Sequence, residues 1–142
     1  MITVRNISAR LFKPKLPMTK AVRKRFDIQV TAANSTVTQT FELEKSIVGL
    51  KGLLLTSNYD DLLYFRGSQK LDINKDEIFP EGYETKLLMS GINCPPSKRY
   101  YDLNNMSPGN GQVKIEFTDA DDGRSVFAAY RVSLYLDCIM EV

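Results

Sequence analysis

Residues 113–140, VKIEFTDADDGRSVFAAYRVSLYLDCIM, determine the expected fold, because apolar and polar residues alternate along both halves of this stretch. A period of two is typical of a strand with one buried and one exposed face. The halves are joined by DADDG at residues 119–123, and Asp-Gly between two alternating segments predicts a β-hairpin. The predicted apolar face of the last strand contains Val126, Ala128, Tyr130, Val132, Leu134, Leu136, Cys138 and Met140.

The same alternation continues upstream, where short apolar segments are separated by turn residues. Phe26, Ile28 and Val30 alternate with polar residues, and Asn34-Ser35 then turns the chain into VTQTFELE. About eight short strands at spacings near ten residues favour an antiparallel sandwich or barrel. The remaining predicted strands lie at residues 47–57, 61–67, 69–73 and 84–89.

Two stretches depart from this pattern. A helix could be considered only around residues 45–55, where Gly49 and Gly52 weaken it. Residues 91–111, GINCPPSKRYYDLNNMSPGNG, are rich in Pro, Gly and Asn and predict a long loop. Loops of that length are usually functional or ordered by a neighbour.

Charge divides the chain into two parts. The first 25 residues contain eight of the 19 basic residues and none of the 17 acids, so the remainder is acidic. Pro14 and Pro17 disfavour a continuous helix in the basic part. We therefore predict a basic N-terminal arm over residues 1–25 and a β-sandwich over residues 26–142. The candidate partner-binding residues of the arm are Arg5, Arg10, Lys13, Lys15, Lys20, Arg23, Lys24 and Arg25.

Several kinds of chemistry are excluded by residue content. The sequence has no histidine, which removes Ser-His-Asp and Cys-His nucleophilic sites and imidazole-bound zinc. Cys94 and Cys138 lie far apart in sequence, and two reduced thiols are the simplest interpretation. DADDG lacks the glycine and glutamate spacing of a calcium loop. We expect no enzymatic activity, no catalytic residue, no metal or other cofactor and no small-molecule substrate.

The long loop contains the segment KRYYDL, in which Lys98 and Arg99 precede Tyr100 and Tyr101. Such a mixture could stack on bases or sugars. It could equally attach the loop to the sandwich or to another subunit, because Tyr and Arg are both enriched at protein interfaces. We favour an interface loop made of these four residues.

From residue 41 onward the chain resembles a known family. The segments FELEKSIVGLKGLLLTSNYDDLLYFRGSQKLDINKDEIFPEGYETKLLM and GQVKIEFTDADDGRSVFAAYRVSLYL are similar to the single jelly-roll penton proteins of tailless, lipid-containing icosahedral bacteriophages. The shared features are the Val48-Gly49-Leu50 strand, the Gly-Ser-Gln turn at residues 67–69, the turn between Pro80 and Gly82, and the closing alternating strand.

This resemblance implies an all-β single jelly roll of two four-stranded antiparallel sheets, a homo-pentamer at each capsid vertex and no enzymatic activity. It also implies contacts with other capsid proteins. We expect a structural virion protein, a penton or minor capsid subunit, made in the host cytoplasm, whose arm contacts neighbouring protein, the genome or an internal membrane. Two alternatives remain. One is a monomeric module that binds carbohydrate or peptide through Tyr59, Tyr64, Tyr100 and Tyr101, and the other is a nucleic-acid-binding protein that uses the basic arm.

Overall fold

The computed structural model describes residues 18–91 and 93–142, which form two four-stranded antiparallel sheets. A single α-helix and two short 3₁₀ turns connect the strands of these residues. The strands are β1 (Thr19–Val30), β2 (Thr36–Glu42), β3 (Ile47–Ser57), β4 (Gly67–Ile73), β5 (Asp76–Glu84), β6 (Tyr101–Met106), β7 (Gln112–Asp119) and β8 (Tyr130–Glu141). The helix is α1 (Asp60–Arg66), and the 3₁₀ turns are Thr85–Leu88 and Pro96–Lys98.

The strand order defines the architecture. One sheet has the order β1-β8-β3-β6 and the other has the order β2-β7-β4-β5. The pairs β1/β8, β2/β7, β3/β6 and β4/β5 are therefore nested, as if one long hairpin had been rolled up across two sheets. This is the arrangement of a jelly roll. The predicted all-β single jelly roll is confirmed.

The core lies between the two sheets, where the alternating side chains of each strand face inward. Ile28 and Leu134 from one sheet and Val113 and Phe117 from the other are completely buried. Burying such side chains stabilises the fold by about 1.5–3 kcal/mol each. Aromatic pairs close the two lateral sides of the sandwich. The rings of Phe26 and Phe41 stack at 4.6 Å, and those of Phe79 and Tyr101 meet edge to face at 5.2 Å between ring centroids.

The predicted hairpin at DADDG is wrong. β7 and β8 lie in different sheets, so residues 120–129 cross from one sheet to the other. The last strand consequently begins at Tyr130, and the side chain of Val126 is 91% exposed. Alternation identifies a strand and its faces, but it does not identify the partner of that strand. Among the described strands, only β4 and β5 form a hairpin of consecutive strands, with positive φ angles at Asn74 and Lys75.

Three other local predictions also differ from the structure. DLLYFRG, predicted as a strand, forms α1, because Leu62, Leu63 and Arg66 share one buried helical face. Residues 84–89 were predicted as a strand, but residues 85–88 form a 3₁₀ turn, and β5 precedes them. The predicted loop over residues 91–111 contains β6. The strand predicted over residues 47–57 is confirmed as β3.

The boundary predicted between arm and sandwich lies inside β1. This strand begins at Thr19 and pairs with β8 without interruption from Thr19 to Val30. The charge count concealed the alternation, because Arg23 and Arg25 point to the outer face of the sheet while Val22 and Phe26 face inward. The sandwich therefore includes residues 19–25. Arg5, Arg10, Lys13 and Lys15 lie outside the described residues.

Candidate functional site

The first candidate surface is the basic part of β1, which contains Lys20, Arg23, Lys24 and Arg25. Three of these four cations lie against carboxylates of the same chain. A cation that is paired within its own protein is less available to a phosphate. The pairs are Arg23 with Asp137, at 4.0 Å from Nε to Oδ1, Lys24 with Glu44, and Arg25 with Asp27, at 2.9 Å from Nε to Oδ1.

Asp27 connects β1 to β8 on the outer face of the sheet. The Oγ of Ser133 donates a hydrogen bond to Asp27 Oδ1 at 2.7 Å, and the guanidinium of Arg25 donates to both carboxylate oxygens. The hydrogen bond from Arg25 is the main cause that lowers the pKa of Asp27, with Ser133 adding to it. The same Arg25 lies over the ring of Tyr135 at 5.8 Å. These contacts order the outer face around β1.

The second candidate surface is the interface loop predicted from KRYYDL. Lys98 ends a 3₁₀ turn and is exposed, whereas Arg99 donates from Nε to the carbonyl of Cys94 at 3.1 Å. Tyr100 is half-buried, and Tyr101 begins β6. The loop is thus held by hydrogen bonds of its own backbone and by its tyrosines.

The structure brings the two surfaces together at Arg23 and Tyr100. In the strand register, Arg23 of β1 lies opposite Asp137 of β8, and Asp137 lies opposite Gly52 of β3. The side chain of Tyr100 covers Gly52. Burial raises the pKa of the Tyr100 hydroxyl, and the positive charge of Arg23 opposes this rise. The contact joins β1 to the loop before β6 across the outer face of the sheet.

We expect Gly52→Ala to lower the free energy of unfolding by about 1–3 kcal/mol, because the added methyl group overpacks the contact between residue 52 and Tyr100. The methyl carbon would lie 2.7 Å from Cβ of Tyr100 and 3.2 Å from the carbonyl oxygen of Tyr101. Urea denaturation measures the change. Gly91→Ala is the matched control, since a methyl group there meets no atom of the described residues within 4 Å. Equal stability of the two variants would show that Tyr100 does not pack on Gly52.

A buried ionic network that no sequence pattern predicted lies at one end of the sandwich. Arg66 from α1 and Asp119 from β7 form two hydrogen bonds, Nε to Oδ1 at 3.0 Å and Nη2 to Oδ2 at 2.9 Å. The hydroxyl of Tyr130 donates to Oδ1 of Asp119 at 2.6 Å, and the backbone N–H of Asn34 donates to Oδ2 at 3.0 Å. Both charged side chains are almost completely buried. No local motif signals this network, because its members come from separate parts of the chain.

The network also positions residues 120–129. Arg66 Nη1 donates to the carboxylate of Asp121 at 3.3 Å and to the carbonyl of Ser125 at 3.2 Å. The guanidinium of Arg66 lies 5.4 Å from the ring centroid of Phe127. One buried cation therefore anchors the connection between the sheets and shapes the surface beside it.

That surface contains a groove of about 620 Å³ between α1 and residues 124–128, which we call the α1 groove. Its apolar lining includes Tyr59, Phe65 and Val126, which are 51%, 36% and 91% exposed. Asp60 and Asp61 lie on its rim, together with Arg124, whose guanidinium covers the ring of Phe65 at 5.2 Å. Exposed apolar side chains that cluster with a polar rim are typical of interaction surfaces.

Compared with protein-family models, curated proteins and solved structures, the chain has no match. Within residues 18–91 and 93–142, no group of three or more His, Cys, Asp or Glu side chains is arranged to hold a metal ion. No helix in this part of the chain is long and apolar enough to span a membrane.

Three of the four tyrosines of the alternative binding module contact separate partners, and the fourth, Tyr59, lines the α1 groove. The ring of Tyr64 contacts Phe65 and Lys86, Tyr101 contacts Phe79, and Tyr100 covers Gly52. Among the described residues, no aromatic pair joins one of these tyrosines to another. The monomeric binding module therefore stays a prediction.

Proposed function

We propose that this protein is a structural virion component, a penton or minor capsid subunit that assembles into a ring of identical chains and contacts neighbouring capsid proteins. The jelly-roll strand order, joined at the start of β1 to a strongly basic segment, is the observation that carries the proposal. Viral capsid proteins are one of the main groups of proteins with this architecture. In this role the sandwich makes lateral contacts and the basic segment reaches a neighbour.

The pairing of the β1 cations within the chain disfavours a nucleic acid as the partner of this strand. Arg23, Lys24 and Arg25 each face a carboxylate of the same chain, and Lys20 is the one cation of the segment without an ion pair among the described residues. A nucleic-acid surface would instead present unpaired cations along a groove or stripe. Lys20 and the four cations before residue 18 are the candidates for contact with a partner.

Light scattering after size-exclusion chromatography tests the proposal. We expect the intact chain to form a closed ring, and a pentamer would have five times the 16.1 kDa mass of one chain. Replacing Arg5, Arg10, Lys13 and Lys15 by Gln should shift the equilibrium towards smaller species. Replacing four surface lysines of the sandwich (Lys51, Lys70, Lys75 and Lys114) by Gln is the matched control and should leave the mass unchanged.

A strict monomer at high protein concentration would contradict the proposed function. An oligonucleotide affinity that falls with salt and disappears in the Gln variant of the four N-terminal cations would favour the nucleic-acid alternative. Capture of a glycan by a monomeric chain would favour the carbohydrate-binding alternative.

A further inference from the structure

We propose that residues 9–17 of one copy bind the α1 groove of a neighbouring copy, so that each subunit is linked head to tail with the next. This inference rests on the proposed function, since it names the surface through which the subunits assemble. Its support comes from the apolar groove, from charge complementarity and from the position at which residues 1–17 join the sandwich.

The α1 groove has the size and chemistry of a site for an extended apolar segment. Its volume of about 620 Å³ falls in the range of sites that bury a few side chains. Tyr59 and Val126 are more than half exposed, and residues 124–128 of its wall are tied to Arg66 through the carbonyl of Ser125. A wall that is anchored in this way is formed before a partner arrives, which lowers the entropic cost of binding.

The rim of the groove is acidic. Asp60 and Asp61 are exposed, and neither forms an ion pair within the described residues. Asp121 and Asp122 follow on the neighbouring connection and are also exposed. Among the described residues, Arg124 is the one cation that lines the groove, and its guanidinium lies against Phe65. The surface thus favours a partner that is both apolar and positively charged, and it repels nucleic acid and anionic lipid.

Residues 9–17, ARLFKPKLP, have this complementary chemistry. Leu11, Phe12 and Leu16 supply three large apolar side chains, and the cations Arg10, Lys13 and Lys15 lie between or beside them. An aromatic anchor flanked by cations fits an apolar groove with a carboxylate rim.

The distance from Met18 to the α1 groove excludes binding of residues 9–17 to the groove of their own chain, so the groove they bind is that of another copy. Residues 1–17 leave the sandwich at Met18, whose carbonyl accepts a hydrogen bond from the N–H of Val142 at 2.8 Å. The α1 groove lies at the other end of the sheet, because Ser57 and Ala128 flank the level at which Val30 pairs with Tyr130. The twelve residues of β1 between these ends span about 40 Å.

A fully extended chain covers at most about 3.6 Å per residue, so Phe12 can lie no more than about 22 Å from Met18. Phe12 therefore cannot reach the groove of its own chain. The contact joins two different surfaces of identical subunits, and such heterologous contacts close into rings when the rotation between subunits permits.

Photo-cross-linking of the full-length chain tests the contact directly. Phe12 is replaced by p-benzoylphenylalanine, and unlabelled and ¹⁵N-labelled chains are mixed before irradiation. We expect cross-linked peptides of mixed isotope content that join position 12 to residues 58–65 or 124–128. Cross-links formed within a single chain, or to any other surface of the neighbour, would overturn the inference.

Charge reversal tests the complementarity. Lys13→Glu with Lys15→Glu, or Asp60→Lys with Asp61→Lys, should each weaken self-association at least about tenfold. A chain that carries all four substitutions should recover association, because the signs are again opposite. Asp76→Lys with Glu77→Lys, at the start of β5, reverses two exposed acids away from the groove and is the control. Failure of the four-fold variant to recover, with its thermal unfolding unchanged, would contradict the inference.

The outcomes separate this inference from the proposed function. A monomeric intact chain in light scattering overturns both. An oligomer that persists in both reversed pairs, with cross-links outside the groove, overturns the docking of residues 9–17 and leaves the self-assembling subunit in place. An oligomer that is lost in each reversed pair and restored in the combined variant supports both.

Discussion

Asp119→Ala is expected to lower the free energy of unfolding by about 3–5 kcal/mol, because it leaves the buried guanidinium of Arg66 without its partner. Tyr130 and the N–H of Asn34 lose an acceptor at the same time. Urea denaturation followed by circular dichroism measures the change. Tyr130→Phe removes only the hydroxyl donor and should cost about 1.5–3 kcal/mol.

The effect of Asp119→Ala should depend on pH in a defined direction. Burial alone would raise the pKa of the Asp119 carboxyl, but the hydrogen bonds from Arg66, Tyr130 and Asn34, together with the charge of Arg66, lower it below its ordinary value of 3.8. A pKa that is lower in the folded state contributes stability above the unfolded pKa, and this is lost as pH falls through the folded pKa. The difference between wild type and variant should therefore be constant near neutral pH and shrink below about pH 4. A difference independent of pH down to pH 2 would contradict the ionic role of Asp119.

Phe117→Ala is the second change with a large expected effect, a loss of about 3–5 kcal/mol in the free energy of unfolding. Phe117 is completely buried, its ring meets that of Tyr130 edge to face at 6.2 Å, and its outer carbon lies close to Gly67. The cavity left by the ring would lie where β7, β4 and the start of β8 meet.

Phe65→Ala provides the matched comparison for Phe117. Phe65 is 36% exposed in the α1 groove, so its removal should cost less than about 1 kcal/mol of stability while weakening self-association. Thermal unfolding and light scattering on both variants distinguish a core role from a surface role. Equal losses of stability for the two variants would show that Phe117 is not a central core residue.

Sequence alternation predicted the buried faces of β7 and β1 correctly. Val113, Ile115 and Phe117 face the core as expected, and so do Ile28 and Val30. Strand partners were not predictable in the same way, because a period of two contains no information on which strand lies next to which. The hairpin at DADDG failed for this reason. The jelly-roll topology followed from the family resemblance.

The helix α1 was missed because its seven residues are too short to show a helical period. DLLYFR has apolar neighbours at Leu62 and Leu63 that suit a buried strand as well as a helix. Arg66 resolves the ambiguity in the folded protein, since only the helix directs its side chain to Asp119. A propensity argument could not include an interaction between residues 53 positions apart.

The residue types of the candidate site were predictable from the sequence, but the spatial arrangement of these residues was not. Sequence analysis selected Arg23, Lys24, Arg25 and the segment KRYYDL from residue type alone. The carboxylate partners of these cations depend on strand register, which is set only when the whole chain folds. The same is true of the contact between Tyr100 and Gly52, which lies opposite Asp137 of β8. The α1 groove was missed, because its apolar lining comes from a helix and a connection that were both predicted as strand.

The nested strand pairs determine the order in which the strands can pair while the chain is being synthesised. β4 and β5 can pair as soon as they are made, whereas β1 acquires β8, its one neighbour among the described strands, when residues 130–141 have been synthesised. Contacts between distant parts of a chain form late and slowly, because a large loop must close first. During synthesis the basic strand β1 therefore stays unpaired while the acidic segments that follow it in the sequence are made. The four cations of β1 are suited to that interval, since charged residues on an unpaired strand oppose aggregation with other nascent chains.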